Sequence, residues 1–274
     1  MKRKLFCQIS PLTYKISRAK CRIFRSLKDL SCRNFSSQKS EEKLPYKVYA
    51  SNSLIRRKLG NVDSALQENK AVNLKIAAPH INGVMIKPNE VFSFWHLIGN
   101  CSTKKGYKEG LTINCGEVSK DIGGGMCQFT NMIHWLILHT PLEIIEHHHH
   151  DGIDMFPDYG RTIPFGTGTS IMYNYLDYRF KNTTENTYQL ITYVDDKYLC
   201  GEIYCDKKPI QTYHIKSEDE HFERKDDSVY RVGKVVRTTI NSQTGQIVSK
   251  EIIKNNYAKI LYDESFIKEK IEVQ

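Results

Sequence analysis

Apolar positions near the start of the chain fall at helical intervals. Within "YKISRAKCRIFRSLKDL", Ile16, Ala19, Ile23, Leu27 and Leu30 recur at three- and four-residue steps, with Arg18, Lys20, Arg22, Arg25 and Lys28 between them. That spacing predicts a basic amphipathic helix. "SCRNFSSQKSEEK" reads as a polar linker. Residues 45–78 read as helical from the pattern at Val62, Ala65 and Leu66, and "IKPNEVFSFWHLIG" turns at Pro88 and Asn89 into a strand-like run. Gly123, Gly124 and Gly125 permit backbone angles that residues with a Cβ avoid, and the apolar positions from Phe129 to Leu138 predict a helix beginning near Met126 and ended by Pro141. A strand from Leu142 to His148 is expected to return along it. Past Pro164, "SIMYNYLDYRF", "TYQLITYV" and "YLCGEIYC" alternate as an antiparallel meander. Two β-rich runs flank Ser242, Gln243, Thr244 and Gly245 as a hairpin.

These elements predict an α+β fold, with a central helix starting near Cys127 packed on an antiparallel sheet from residues 142–205. Residues 1–44 form a basic amphipathic helix and linker, 45–206 the main domain, and 207–274 a β-rich extension.

Charge refines that division. Residues 1–39 hold 11 Lys or Arg against the single acid Asp29, while the rest of the chain sums to −1 within an overall +9. The basicity is therefore a tail, and nucleic-acid binding by the body is not favoured. The helical tail suits an anionic membrane surface, with nucleic acid second; a solvated helix packed on the body is the plainer alternative. Eight cysteines fall irregularly at 7, 21, 32, 101, 115, 127, 200 and 205 without a Cys-x-x-Cys. They read as reduced thiols in a cytoplasmic protein. The N-terminus lacks the apolar core of a secretory signal, and no run approaches a membrane span. The expected location is thus cytoplasmic, peripheral to the inner face of the membrane.

Candidate chemistry centres on Cys127. In the first helical turn the N–H groups and helix dipole favour thiolate and offer oxyanion donors near Gly125 and Gln128. A helix from Gln128 to Thr140 would run about 20 Å, and a strand from Leu142 to His148 about 23 Å, so the histidines are expected level with the thiol. On a strand His148 and His150 share one face, His147 and His149 the other. Either His148 or His150 would be the general base, with Asp151, Asp154 or Asp158 fixing its tautomer. Two rival readings stand beside this one. Histidines with Cys127 or an Asp give a zinc donor set, or the glycines form a loop and Cys127 is a small core residue. Arg161 is a candidate for binding a carboxylate or phosphate. Gly166 and Gly168 would let the backbone pass close to the thiol.

"NEVFSFWHLIGN", "TKKGYKEGL", "DIGGGMCQFTNMIHWLILHTPLEIIEHHHH", "MFPDYGRTIPFGTGT" and "IMYNYLDYRF" resemble the successive blocks of the VanW family, associated with vancomycin B-type resistance. The resemblance covers about residues 45–205, with Gly123, Gly124, Gly125, Cys127, Gln128, Glu146 and the histidines matching. It implies a setting, the Gram-positive cell envelope and its peptidoglycan precursors, and attaches no reaction. Gly123, Gly124, Gly125, Gln128, Arg161 and Tyr173 are the candidate binding residues. The activity expected is that of a thiol-dependent hydrolase or acyltransferase on an amide or peptide-like substrate. The alternatives are a non-enzymatic, membrane-peripheral envelope accessory that binds a peptidoglycan precursor or envelope protein, and a His/Cys metal-binding domain. No cofactor is expected apart from zinc in that last case.

Overall fold

The computed structural model describes residues 5–56, 64–114, 117–149, 152–158 and 163–273. Cys115, His150, Asp151 and Arg161 lie outside the described residues. The elements in chain order are α1 (Pro11–Leu30), β1 (Tyr46–Leu54), α2 (Ser64–Ile81), β2 (Val84–Ile86), β3 (Val91–Ser93), α3 (Phe94–Ile98), β4 (Glu109–Asn114), β5 (Glu117–Ile122), α4 (Met126–Leu138), β6 (Glu143–Glu146) and β7 (Ile153–Asp154). They continue as β8 (Arg179–Lys181), β9 (Tyr188–Val194), β10 (Tyr198–Cys205), β11 (Gln211–Lys225), β12 (Ser228–Asn241), β13 (Ile247–Ile260) and β14 (Ile271–Val273). The fold is mixed α+β. Its sheets run β1-β10-β9-β2, β3-β8-β6, β4-β5 and β14-β11-β12-β13-β7.

The expected central helix forms as α4. Phe129, Ile133, Leu136 and Ile137 are fully buried along it, and they pack with Leu74, Leu190 and Ile203 in the main core. The helix approaches β10 so closely that a Cβ on Gly201 would lie 2.7 Å from Met132 Cε and 2.9 Å from Leu136 Cδ1. Close approach of helix to sheet, at a strand position with no side chain, sets the depth at which α4 sits.

Three local expectations differ from the structure. Residues 46–54 are not helical: they pair antiparallel with β10 from Tyr46 opposite Cys205 to Leu54 opposite Tyr198. A partner some 150 residues away overrides local helix propensity there, and among the described residues the expected helix forms from Ser64 and runs on to Ile81. The polar linker after α1 is laid along two sheets, with Ser36 N–H donating to Val91 O (3.0 Å), Met85 N–H to Gln38 O (2.8 Å) and Ser40 N–H to Gly83 O (2.9 Å). "SIMYNYLDYRF" contributes only β8 at its end, because Met172 and Leu176 close a turn by reciprocal backbone bonds of 2.9 and 3.0 Å.

The extension after residue 206 forms the expected hairpin, β12–β13, with Gly245 N–H bonded to Asn241 O at 2.9 Å. It is fastened to the domain. Arg231, 3% exposed, reaches Asp154 and Asp158, Asn256 Nδ2 donates to Phe165 O at 2.9 Å, and β13 pairs with β7. These contacts hold the segment between β6 and β8 from outside.

Gly201→Val should overpack the α4–β10 contact and lower stability by about 1–3 kcal/mol. A urea unfolding midpoint, compared with that of wild type, checks this.

Candidate functional site

Each of the three glycines before α4 has a geometric cause. Gly125 is the N-cap at φ 107°. At Gly123 (φ 86°) a Cβ would lie 2.6 Å from Cys101 Cβ, and at Gly124 it would lie 2.5 Å from the Gly110 carbonyl carbon. Asn73 Nδ2 donates to Gly124 O at 2.9 Å, and Gln128 Nε2 donates to Ser53 Oγ and Leu54 O, both at 2.9 Å. The glycine turn and first helical turn are thereby anchored to α2 and β1.

Cys127 follows in that first turn. The residue is half-buried, yet packing around its sulfur pushes the thiol pKa up, against the opposing pull of the Ile171 N–H, which donates to it. Burial outweighs the thiolate-favouring position, because desolvating a charge costs more than one amide returns.

A passing segment separates the thiol from the histidine run. Residues 168–171 bond α4 on one side: Thr169 N–H and Oγ1–H donate to Asn131 Oδ1 at 2.6 and 2.7 Å, and its hydroxyl meets that of Thr130. On the other side Ser170 N–H donates to His148 O at 2.7 Å, and His147 Nε2–H donates to Gly168 O at 3.0 Å.

The returning chain brings His147 level with His134. Their rings lie 4.1 Å apart, and the His149 ring lies 3.9 Å beyond His147. His134 is seven residues past Cys127, about 10 Å along the helix axis. Its Nδ1 sits 3.1 Å from Tyr178 Oη. Burial, then the neighbouring imidazoles, pushes His134 well below the ordinary histidine value and His147 down to about 3. The expected strand from Leu142 to His148 stops short of the histidines, since β6 ends at Glu146; past it, His147 turns toward α4 while His148 turns to Glu146, its Nε2–H donating to Oε1 at 3.0 Å.

Glu146 is the hub of a second cluster. It accepts both Arg25 guanidinium nitrogens at 2.6 and 2.5 Å, the Asp177 N–H at 3.0 Å and the His148 ring. Burial pushes its pKa up, but Arg25, the Asp177 amide and His148 outweigh that and hold it below the usual carboxylate range. Asp177, 1% exposed, accepts from Ser93 Oγ at 2.5 Å, Trp95 N–H at 3.1 Å and Arg179 Nε at 2.7 Å. Arg179 in turn forks onto Asp29 of α1 at 2.8 and 2.7 Å. Tyr173 lies beside this cluster, under Arg22 (5.3 Å) and edge-on to Trp95 (5.5 Å).

The structure therefore gathers Gly123, Gly124, Gly125, Cys127 and Gln128 at one place, and His148 and Tyr173 at another. Asp154 and Asp158 sit at Arg231. Among the described residues no three His, Cys, Asp or Glu side chains converge as a metal site. Two shallow clefts among them lie against Lys15, Arg18 and Arg22 and beside Lys39, Lys43 and Pro79, and neither is lined by Cys127. Sequence reasoning missed His134, Asp177 and Arg179. His134 carried a signal, the seven-residue step from Cys127 on one helix face; the other two carried none until α1 and α3 are brought beside them.

The α+β domain with its glycine turn, helix-start cysteine and histidine return matches the family model described as VanW like protein over residues 69–204. The chain is 34% identical over 234 residues, 85% of its length and 84% of the relative's, to the vancomycin B-type resistance protein VanW of Enterococcus faecalis. It belongs to the VanW family. A second relative, the uncharacterized protein YoaR of Bacillus subtilis, is 28% identical over 118 residues, 42% of this chain and 36% of that protein. No solved structure matches the chain.

Two outcomes follow for stability. His139, 8% exposed, donates from Nδ1 to Trp135 O at 2.8 Å and stacks on Tyr49 at 3.5 Å; burial lowers its pKa to about 4. The unfolded chain then binds more protons than the folded one between about pH 6.5 and 4, so acidification through this window removes up to about 1.4 kcal/mol per pH unit per such histidine. Melting temperature should fall from pH 7 to pH 5, and His139→Phe, which keeps the stack, should flatten the slope. Arg179→Ala strands a buried carboxylate and should cost about 3–5 kcal/mol, read from denaturant unfolding against Arg179→Lys.

Proposed function

We propose that the chain is a non-enzymatic accessory protein of glycopeptide resistance at the cell envelope, acting by binding a peptidoglycan precursor or an envelope protein. Its Enterococcus relative is a vancomycin B-type resistance protein, which supports the link to glycopeptide resistance; the envelope setting is part of the proposal. One observation favours binding over catalysis: the groups around Cys127 are engaged in the fold. A nucleophilic cysteine needs an ionised sulfur with a base in hydrogen-bond reach. Here burial raises the thiol pKa, His147 is bonded to the Gly168 carbonyl, and His148 is bonded to Glu146. Binding would use the surface around Tyr173, since Gly123 and Gly124 are buried against Cys101 and Gly110.

A second reading is the thiol-dependent hydrolase or acyltransferase on an amide or peptide-like substrate. It is favoured by the place of Cys127 in the first turn of α4 and by the Ile171 N–H at its sulfur, a donor that favours the thiolate. In that reading Cys127 is nucleophile and His148 or His150 the base, with Asp151 the candidate to fix its tautomer; His150 and Asp151 lie outside the described residues.

Mass labelling of the intact protein with a mild thiol reagent at neutral pH separates the two. Cys127 is expected to react no faster than Cys101, whose own pKa burial raises to about 11, and Cys127→Ala should keep the resistance phenotype. Fast, selective labelling of Cys127, with the phenotype lost in Cys127→Ala and kept in Tyr173→Ala, would establish the enzyme instead.

A further inference from the structure

α1 is docked the opposite way round from an ordinary amphipathic helix. Such helices turn their apolar stripe to the core. Here the polar face meets the body: Arg22 Nε–H donates to Tyr173 O at 3.2 Å, Arg25 forks onto Glu146, Asn174 Nδ2 donates to Ser26 Oγ at 2.9 Å, and Asp29 accepts Arg179. The apolar stripe is left outward, with Leu12 66%, Leu27 57% and Leu30 79% exposed and Ile16, Ile23 and Phe24 exposed beside them. From Leu12 to Leu30 the stripe runs about 27 Å. Phe6 and Ile9 prolong it. The helix is fixed without burying these side chains, since Pro11 opens it and Ser10 Oγ caps the Thr13 N–H at 3.2 Å.

We infer that this outward face seats the protein on a bilayer surface rich in anionic lipid. Charge decides among possible occupants. Lys15, Lys20 and Lys28 are exposed on the margins of the stripe, and Asp29, the only acid in the first 39 residues, is already held by Arg179. A second copy of the chain would press like-charged margins together. A membrane interface takes the apolar side chains among its acyl chains and the lysine ammonium groups among its phosphates. No helix among the described residues is long and apolar enough to cross a membrane, so α1 would lie in the interface plane. The inference rests on α1 alone and is independent of what Cys127 does.

Flotation of the full chain with phosphatidylcholine vesicles, with and without phosphatidylglycerol, tests it. Wild type should float with the anionic vesicles and be released by high salt. Ile23→Asp with Leu27→Asp should weaken binding at least about tenfold, and Lys15→Glu or Lys20→Glu about fivefold each. All four targeted positions are solvent-exposed, so melting temperatures should stay at the wild-type value and exclude misfolding as the cause. Wild type that stays with the soluble fraction, or floats equally with neutral lipid, would overturn the inference. So would a double variant that floats normally, or light scattering showing a dimer that the double variant abolishes.

Discussion

The arrangement depends on keeping one carboxylate, Asp177, satisfied inside the protein. With 1% of its surface exposed, it accepts the Tyr178 amide next to it in the chain and, from farther away, the Ser93 hydroxyl, the Trp95 amide and the Arg179 guanidinium. An isolated buried charge costs several kcal/mol, which good geometry and added hydrogen bonds recover. The more distant donors come from β3, α3 and β8, so satisfying Asp177 brings these elements into register. Its own amide then reaches Glu146, which places the end of β6 and the first histidines. Arg179 passes the constraint on to Asp29, and so to α1.

The α4 region was readable because local chemistry determines it. Three glycines, a run of apolar residues at helical spacing and Pro141 specify where the helix starts and stops, and the structure places α4 at Met126–Leu138. The hairpin at residues 241–246 was readable for the same reason. Strand β1 was not: nothing within "YKVYASNSL" reveals that Tyr46 will pair with Cys205. The site was legible only in part. Counting residues placed the histidines beside the helix, but it could not foresee that residues 168–171, some forty positions after Cys127, would bond both α4 and the histidine run. Nor could it foresee that His147 would be level with His134. Such pairings come from long-range packing, which neither period nor propensity encodes.

The extension is more than an ornament on the domain. Arg231 and Asn256 lie on long strands outside the stretch matched by the family model, yet they grip Asp158 and the Phe165 carbonyl. The glycine-rich segment leading to Thr169 is thus braced from two sides, by α4 within and by β12 and β13 beyond. Rigidity at that segment keeps the thiol enclosed, since Thr169 and Ile171 lie in the same stretch of chain.

The reversed seating of α1 changes what its removal would mean. Trimming the chain ahead of residue 40, as a flexible leader is often trimmed, would take away Arg25 and Asp29 together. Glu146 and Arg179 would then face water half-paired, and the edge contacts of Ser36 and Gln38 with β3 and β2 would be lost as well. A shortened protein would therefore be a poor surrogate for the whole, its histidine segment loosened at the root.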